Sequence, residues 1–186
     1  MTLGEALAFA RQKIDRLDAR LLLQQATGCT HTDLLARPEL PVIGAAGEQF
    51  VAWVERRAAG EPLAYLVGEA EFLGRVFQVS PAVLIPRPET EVLIELALEK
   101  LTGRAAADIV DLGTGSGIVA ISLALECPAA TVSAVDLSPD ALAVARNNAG
   151  RLGAKVDFHE GDWFAPLVGR RFDLIVSNPP YVAEGD

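Results

Sequence analysis

Apolar and polar positions divide the chain into two stretches of different period. In the first, apolar residues recur every third or fourth position, the repeat of helices that bury one stripe. Thr2 and Glu5 form a capping-box pattern, with Leu3, Ala6, Leu7 and Ala10 on one face. Asp15 and Asp18 mark the start of a second helix running through Leu17, Leu21, Leu22 and Gln25 to Gly28, and Thr30 caps a short third one. Beyond Pro38 and Pro41, a helix through Phe50, Val51, Trp53 and Val54 stops at Gly60, and Pro62 fits the first turn of another. Phe50, Trp53 and Tyr65 are expected in the core of this bundle.

Near residue 70 the period changes. Phe72 to Val79 alternates around Gly74 and predicts a small hairpin. Leu84-Ile85-Pro86-Arg87-Pro88-Glu89-Thr90-Glu91 then leads into a helix through Val92, Leu93, Leu96, Ala97 and Leu101. Pro88 suits its first turn, and Glu89 and Glu91 complement the helix dipole there. From Asp108 onward strands (near 108–112, 131–136, 156–160 and 172–177) alternate with helices (near 117–126 and 139–151). That alternation predicts the α/β class: a doubly wound parallel sheet with right-handed crossovers. Ligands in such sheets bind at the carboxyl ends of strands where the order reverses. If three strands build outward and the fourth returns beside the first, the loops after the first and fourth become neighbours. The expected organisation is a helical domain over 1–70, a hairpin and linker over 71–88, and the sheet domain over 89–186.

Composition narrows the class. Of 186 residues 51% are apolar and 22% charged, an ordinary globular balance. No apolar stretch reaches spanning length, and Met1-Thr2-Leu3-Gly4-Glu5 lacks the basic and apolar regions of a signal peptide, so a cytoplasmic location is expected. Cys29 and Cys127 fit no metal spacing, His31 and His159 form no cluster, and no metal is expected. The net charge of −9, without a Lys/Arg tract, argues against nucleic acid as the direct partner.

Two loops carry candidate chemistry. Asp111-Leu112-Gly113-Thr114-Gly115-Ser116-Gly117 lies between a predicted strand and helix, where glycines permit close backbone approach to a ligand. The next strand ends in Asp136, 19 positions after Gly117, placed to reach the ribose hydroxyls of a nucleoside over the glycine turn. The last strand ends in Asn178-Pro179-Pro180-Tyr181. Two prolines have no N–H, so this corner offers carbonyl acceptors and an Asn side chain with few competing donors. Such a corner suits the two hydrogens of an NH2 group. A dehydrogenase is the first rival, because Gly115-Ser116-Gly117-Ile118-Val119-Ala120 also fits a dinucleotide pattern. A nucleic-acid amino-methyltransferase and a binding module without activity are the others.

The glycine loop, Ala134-Val135-Asp136-Leu137-Ser138-Pro139, Gly161-Asp162-Trp163-Phe164 and Ser177-Asn178-Pro179-Pro180-Tyr181, preceded by Leu84 to Glu91, together resemble the release-factor glutamine methyltransferases (PrmC/HemK). The resemblance implies a class I, Rossmann-like methyltransferase sheet preceded by a helical substrate-recognition domain. It implies transfer of a methyl group from S-adenosyl-L-methionine to the side-chain amide of the glutamine in the Gly-Gly-Gln motif of peptide-chain release factors, leaving S-adenosyl-L-homocysteine. Carried over by motif, Gly113, Thr114, Gly115, Ser116 and Gly117 wrap the methionine part, Asp136 binds ribose, and Asp162 and Trp163 lie beside adenine. Asn178 borders the cofactor and, with Pro179, Pro180 and Tyr181, holds the target glutamine; Asn178, Pro179 and Tyr181 form the catalytic set. Asp111 has two readings, a contact to the methionine amino group or a cap on the glycine turn. Family members continue well beyond Tyr181, so the chain is expected to be C-terminally truncated, with its sheet incomplete on that side.

Overall fold

The computed structural model describes residues 1–104 and 106–179. It divides into two compact units, Met1–Gly68 and Glu69–Asp186.

The first unit is a small helical bundle. Helix α1 (Leu3–Ala10) starts with a complete capping box: the Thr2 hydroxyl accepts from the Glu5 N–H at 3.2 Å, and the Glu5 carboxylate accepts from the Thr2 N–H at 2.7 Å. Helix α2 (Arg16–Thr27) is capped by Asp15 and ends at Gly28 in the left-handed region, φ 71°. Thr30 and Asp33 form a second capping box for α3 (His31–Ala36). Helices α4 (Ala45–Ala58) and α5 (Leu63–Val67) complete the unit. Pro62 stands at the cap of α5 rather than inside its first turn, because its ψ of 138° is extended. Leu22, Leu23, Phe50 and Val54 are fully buried, and Trp53 packs against them half-buried. The buried stripe of α2 is Ala19, Leu22 and Leu23, while Leu17 and Leu21, on the same helix, are 50% and 38% exposed. Helical spacing explains the difference: positions 19, 22, 23 and 26 share a face that 17 and 21 leave. Arg57 on α4 donates to Asp18 on α2 at 2.7 Å, tying the two helices.

The second unit begins with the hairpin of β1 (Glu69–Phe72) and β2 (Arg75–Gln78). Its two-residue turn, Leu73-Gly74, has φ of 47° and 68°. Positive φ at both positions matches the right-handed twist of the flanking strands. Phe72 and Phe77 meet edge to face at 6.3 Å in the core beneath. Helix α6 (Glu89–Leu101) follows, capped at Pro88 with Glu89 and Glu91 in its first turn. Then come β3 (Asp108–Leu112), α7 (Ile118–Glu126), β4 (Thr131–Asp136), α8 (Pro139–Leu152), β5 (Asp157–Glu160) and β6 (Leu174–Ser177).

The four strands of the main sheet run parallel in the order β5-β4-β3-β6. Strand β3 is therefore where the order reverses, with Leu112 paired to Val135 of β4 on one side and Ser177 of β6 on the other. One face of the sheet packs Ile109 and Ala134 against Ile121 and Leu123 of α7 and Ile94 of α6. The other packs Val110, Leu112 and Val135 against Leu167. Each such Val, Leu or Ile side chain contributes about 1.5–3 kcal/mol by leaving water. Among the described residues β6 is an outer strand, with Val176 buried and Ile175 53% exposed. No helix among them is long and apolar enough to cross a membrane, and no group of three His, Cys, Asp or Glu could hold a metal ion.

Candidate active site

The carboxyl end of β3 opens into the glycine loop. The N–H groups of Gly113 and Thr114 both donate to the Val135 carbonyl, at 2.8 and 3.0 Å, which fastens the loop to the end of β4. At Gly117, φ is 81° and a Cβ would fall 2.8 Å from Ile121 Cδ1 and 3.0 Å from Ala145 Cβ. Only glycine lets α7 begin this close to α8. At Gly115, φ is 56° and a Cβ would meet nothing within 4 Å. The glycine there is needed for its backbone angle, and the space beside it is open.

Asp111 is 1% exposed beneath this loop. Its Oδ2 accepts from the Thr114 hydroxyl at 2.6 Å and from the Ala120 N–H at 3.3 Å, so it does cap the glycine turn. Burial pushes its carboxyl up to about 6, against the lowering effect of those two hydrogen bonds; the nearby negative charge of Asp136 adds to the rise. Asp136 closes β4 with both oxygens engaged. Oδ2 accepts from the Gly115 N–H at 2.8 Å and Oδ1 from the Ser138 N–H at 2.9 Å. Each carboxylate oxygen retains a further lone pair for a hydroxyl donor.

The end of β5 lies alongside, since the Gly161 N–H donates to the Asp136 carbonyl at 3.0 Å. Asp162 is exposed, and Trp163 is 54% exposed with φ 45°, so Trp163 is no core residue. Its ring is held out at the strand end by an unusual backbone angle.

On the opposite side of β3, the Ser177 hydroxyl donates to the Leu112 carbonyl at 2.8 Å and joins the ends of β6 and β3. Asn178 follows, half-buried, its Nδ2 donating to Thr90 Oγ1 at 2.9 Å. A Cβ on Gly113 would stand 4.0 Å from Pro179 Cα and Cβ. The glycine loop and the Asn-Pro corner are thus adjacent. Pro180 and Tyr181 lie outside the described residues.

Two residues of this site were not singled out by sequence reasoning. Thr90, in the first turn of α6 and 4% exposed, meets Asn178. Asn148, 1% exposed on α8, accepts from the Gln78 N–H at 2.7 Å and donates to the carbonyls of Gln78 at 3.0 Å and Ser116 at 2.9 Å. It pins β2 and the glycine loop to one helix. Its signal was available: an Asn in line with Ala141, Leu142 and Ala145, the buried face of α8.

Comparison with known proteins bears on this arrangement. Residues 3–68 match the family described as the PrmC N-terminal domain, and residues 89–186 the methyltransferase small domain. The release factor glutamine methyltransferase of Bordetella pertussis is 52% identical over 174 residues, covering 93% of this chain and 64% of that protein. The protein of the same name from Moorella thermoacetica is 47% identical over 191 residues, covering 98% and 68%. The chain thus spans about two thirds of the length of these curated relatives. Among solved structures, the T. thermophilus 16S rRNA N2 G1207 methyltransferase in complex with AdoMet and guanosine superposes with a TM-score of 0.54 at 26% identity, over 63% of this chain and 33% of that one. A helical leader and a parallel sheet, each matched by its own family and together by relatives about half identical, leave one assignment: the chain belongs to the release factor glutamine methyltransferases, a family of S-adenosylmethionine-dependent methyltransferases.

Proposed function

We propose that the protein methylates the side-chain amide nitrogen of the glutamine in the Gly-Gly-Gln motif of peptide-chain release factors. The observation that carries this reading is the adjacency of Pro179 to Gly113, which sets an acceptor-rich corner beside a glycine loop with open space at Gly115. The loop fits S-adenosylmethionine by its own chemistry. Gly113 to Gly117 wrap the methionine part, with open space beside Gly115, Asp136 offers free lone pairs to ribose hydroxyls, and Asp162 and the exposed Trp163 ring border the adenine. Asp111 receives the amino group, directly or through water, in addition to capping the turn. Bound there, the cofactor supplies an electrophilic methyl group on a sulfonium.

The chain's own part is to orient a poor nucleophile. An amide nitrogen shares its lone pair with its carbonyl. Acceptors at the Asn178 side-chain oxygen and the Pro179 carbonyl take one N–H each, direct the remaining face of the nitrogen toward the loop, and stabilise positive charge growing on it. No general base is required before transfer, since the proton leaves afterwards. The helical unit, read from the sequence as 1–70, recognises the release factor, and the reaction is cytoplasmic.

The test is tritiated-methyl transfer from S-adenosylmethionine to unmodified release factor, with a Gln→Ala release factor as control. Label on the former and not the latter is expected, and Asn178→Ala should reduce turnover far more than affinity for S-adenosylhomocysteine. Label on oligonucleotides in place of the release factor would overturn the reading. Equal losses of turnover and cofactor affinity would contradict the role of Asn178.

A further inference from the structure

Asn178 can grip an amide NH2 only if its oxygen, and not its nitrogen, faces the substrate. Nothing in the corner's backbone decides this. Pro179 restricts the Asn178 main chain to extended angles. The terminal torsion of an Asn side chain, however, is broad and nearly two-fold, so carboxamide oxygen and nitrogen exchange places easily. In the wrong orientation an NH2 would meet an NH2, donor against donor.

We propose that Thr90 is the positioning residue that sets this orientation. Its hydroxyl could pair with either end of the carboxamide, and in the arrangement present it accepts from Asn178 Nδ2 at 2.9 Å, which leaves Oδ1 as the end free for the substrate. Thr90 suits the task. It is 4% exposed, and its branched side chain is stiff at χ1. It stands on a helix anchored in the core by Ile94, Ala97 and Leu101. The Pro88-Glu89-Thr90-Glu91 segment therefore does more than begin a helix: it carries a fixed acceptor to a loop 88 positions away in sequence. The proposal rests on the methyl-transfer reading above and adds a residue that touches neither substrate nor cofactor.

The test uses the full-length natural protein, unmodified release factor and S-adenosylmethionine. Thr90→Val keeps the shape and removes the acceptor; Thr90→Ser keeps the acceptor. Thr90→Val should lower kcat about tenfold, the effect of one lost hydrogen bond that orients Asn178, with KM for the release factor and Kd for S-adenosylhomocysteine within about two-fold. Thr90→Ser should stay within about three-fold of the wild type. In an Asn178→Ala background, Thr90→Val should have no further effect, because the group it positions is gone. Unchanged turnover in Thr90→Val overturns the inference, as does a parallel fall in Thr90→Ser, a loss of cofactor affinity, or an additive loss in the double variant. A wild-type protein that leaves the release factor unlabelled overturns the methyl-transfer reading and this inference together, so the two failures are told apart.

Discussion

Asp111→Asn isolates the cost of keeping a carboxylate under the glycine loop. Burial holds this carboxyl at about 6 in the folded protein against an ordinary 3.8. The fold thus prefers the neutral acid. Its contribution is fully present below about pH 3.8 and is lost as pH rises through about 6. A shift of about two units corresponds to about 3 kcal/mol at pH well above 6, of which about 2 kcal/mol develops between about pH 4.5 and about pH 7.5. Asn keeps the size and one oxygen to accept from the Thr114 hydroxyl, but it never ionises. The stability of Asp111→Asn relative to wild type should therefore improve by about 2 kcal/mol across that interval. Urea unfolding followed by far-UV circular dichroism at the two pH values measures this, with the m-value unchanged. Taking the difference between the two proteins cancels every other titrating group. A difference that is the same at both pH values would refute the reasoning. On the proposed role of Asp111, S-adenosylhomocysteine should bind wild type more tightly as pH rises through about 6, and Asp111→Asn should lose that dependence.

Other substitutions separate shape from chemistry. Gly117→Ala forces a Cβ to 2.8 Å from Ile121 Cδ1 at a positive φ, and should lower the unfolding free energy by about 2–4 kcal/mol in urea titration. Gly115→Ala meets no neighbour, so it should cost only about 1–2 kcal/mol of stability while calorimetry shows S-adenosylhomocysteine affinity falling by an order of magnitude or more. Asn148→Ala leaves the Gln78 N–H and two carbonyls without their partner, and should destabilise by about 2–4 kcal/mol; hydrogen exchange should show faster opening of both β2 and the glycine loop. Asp136→Asn offers one oxygen where two are used, so the Ser138 or the Gly115 N–H loses its acceptor, and thermal shift should show a weakened response to S-adenosylhomocysteine.

The parallel sheet was legible because alternation of strand and helix after Asp108, combined with crossovers of one hand, leaves few possible orders. The observed β5-β4-β3-β6 is the one in which the fourth strand returns beside the first. The hairpin was legible only in part. Its first strand begins at Glu69, where the one apolar residue before Phe72 is the small Ala70, a weak strand former, and its extent is set by pairing with β2 rather than by its own residues. In α2 the leucines outnumber the places on its buried stripe, so composition could not say which two would face water. Thr90 and Asn148 escaped for a different reason. Each gains its meaning from a backbone or side-chain partner about 70 to 90 positions away; the place of Asn148 on the buried face of α8 was readable, but local pattern holds no record of the partners themselves. The motif residues of the two loops could be named in advance, because strand-end position and glycine spacing are local properties.

The Asp136 carboxylate is held by two main-chain amides, one from the loop before it and one from the turn after it. Its rotamer is consequently settled before any ligand arrives, and on its proposed role a nucleoside would find the acceptor already aimed, with no side-chain freedom left to surrender on docking. The same clamp narrows the routes open to redesign. Replacing this acid would also release the Gly115 amide, so on its proposed role the loop geometry and the ribose contact can only be changed as a pair.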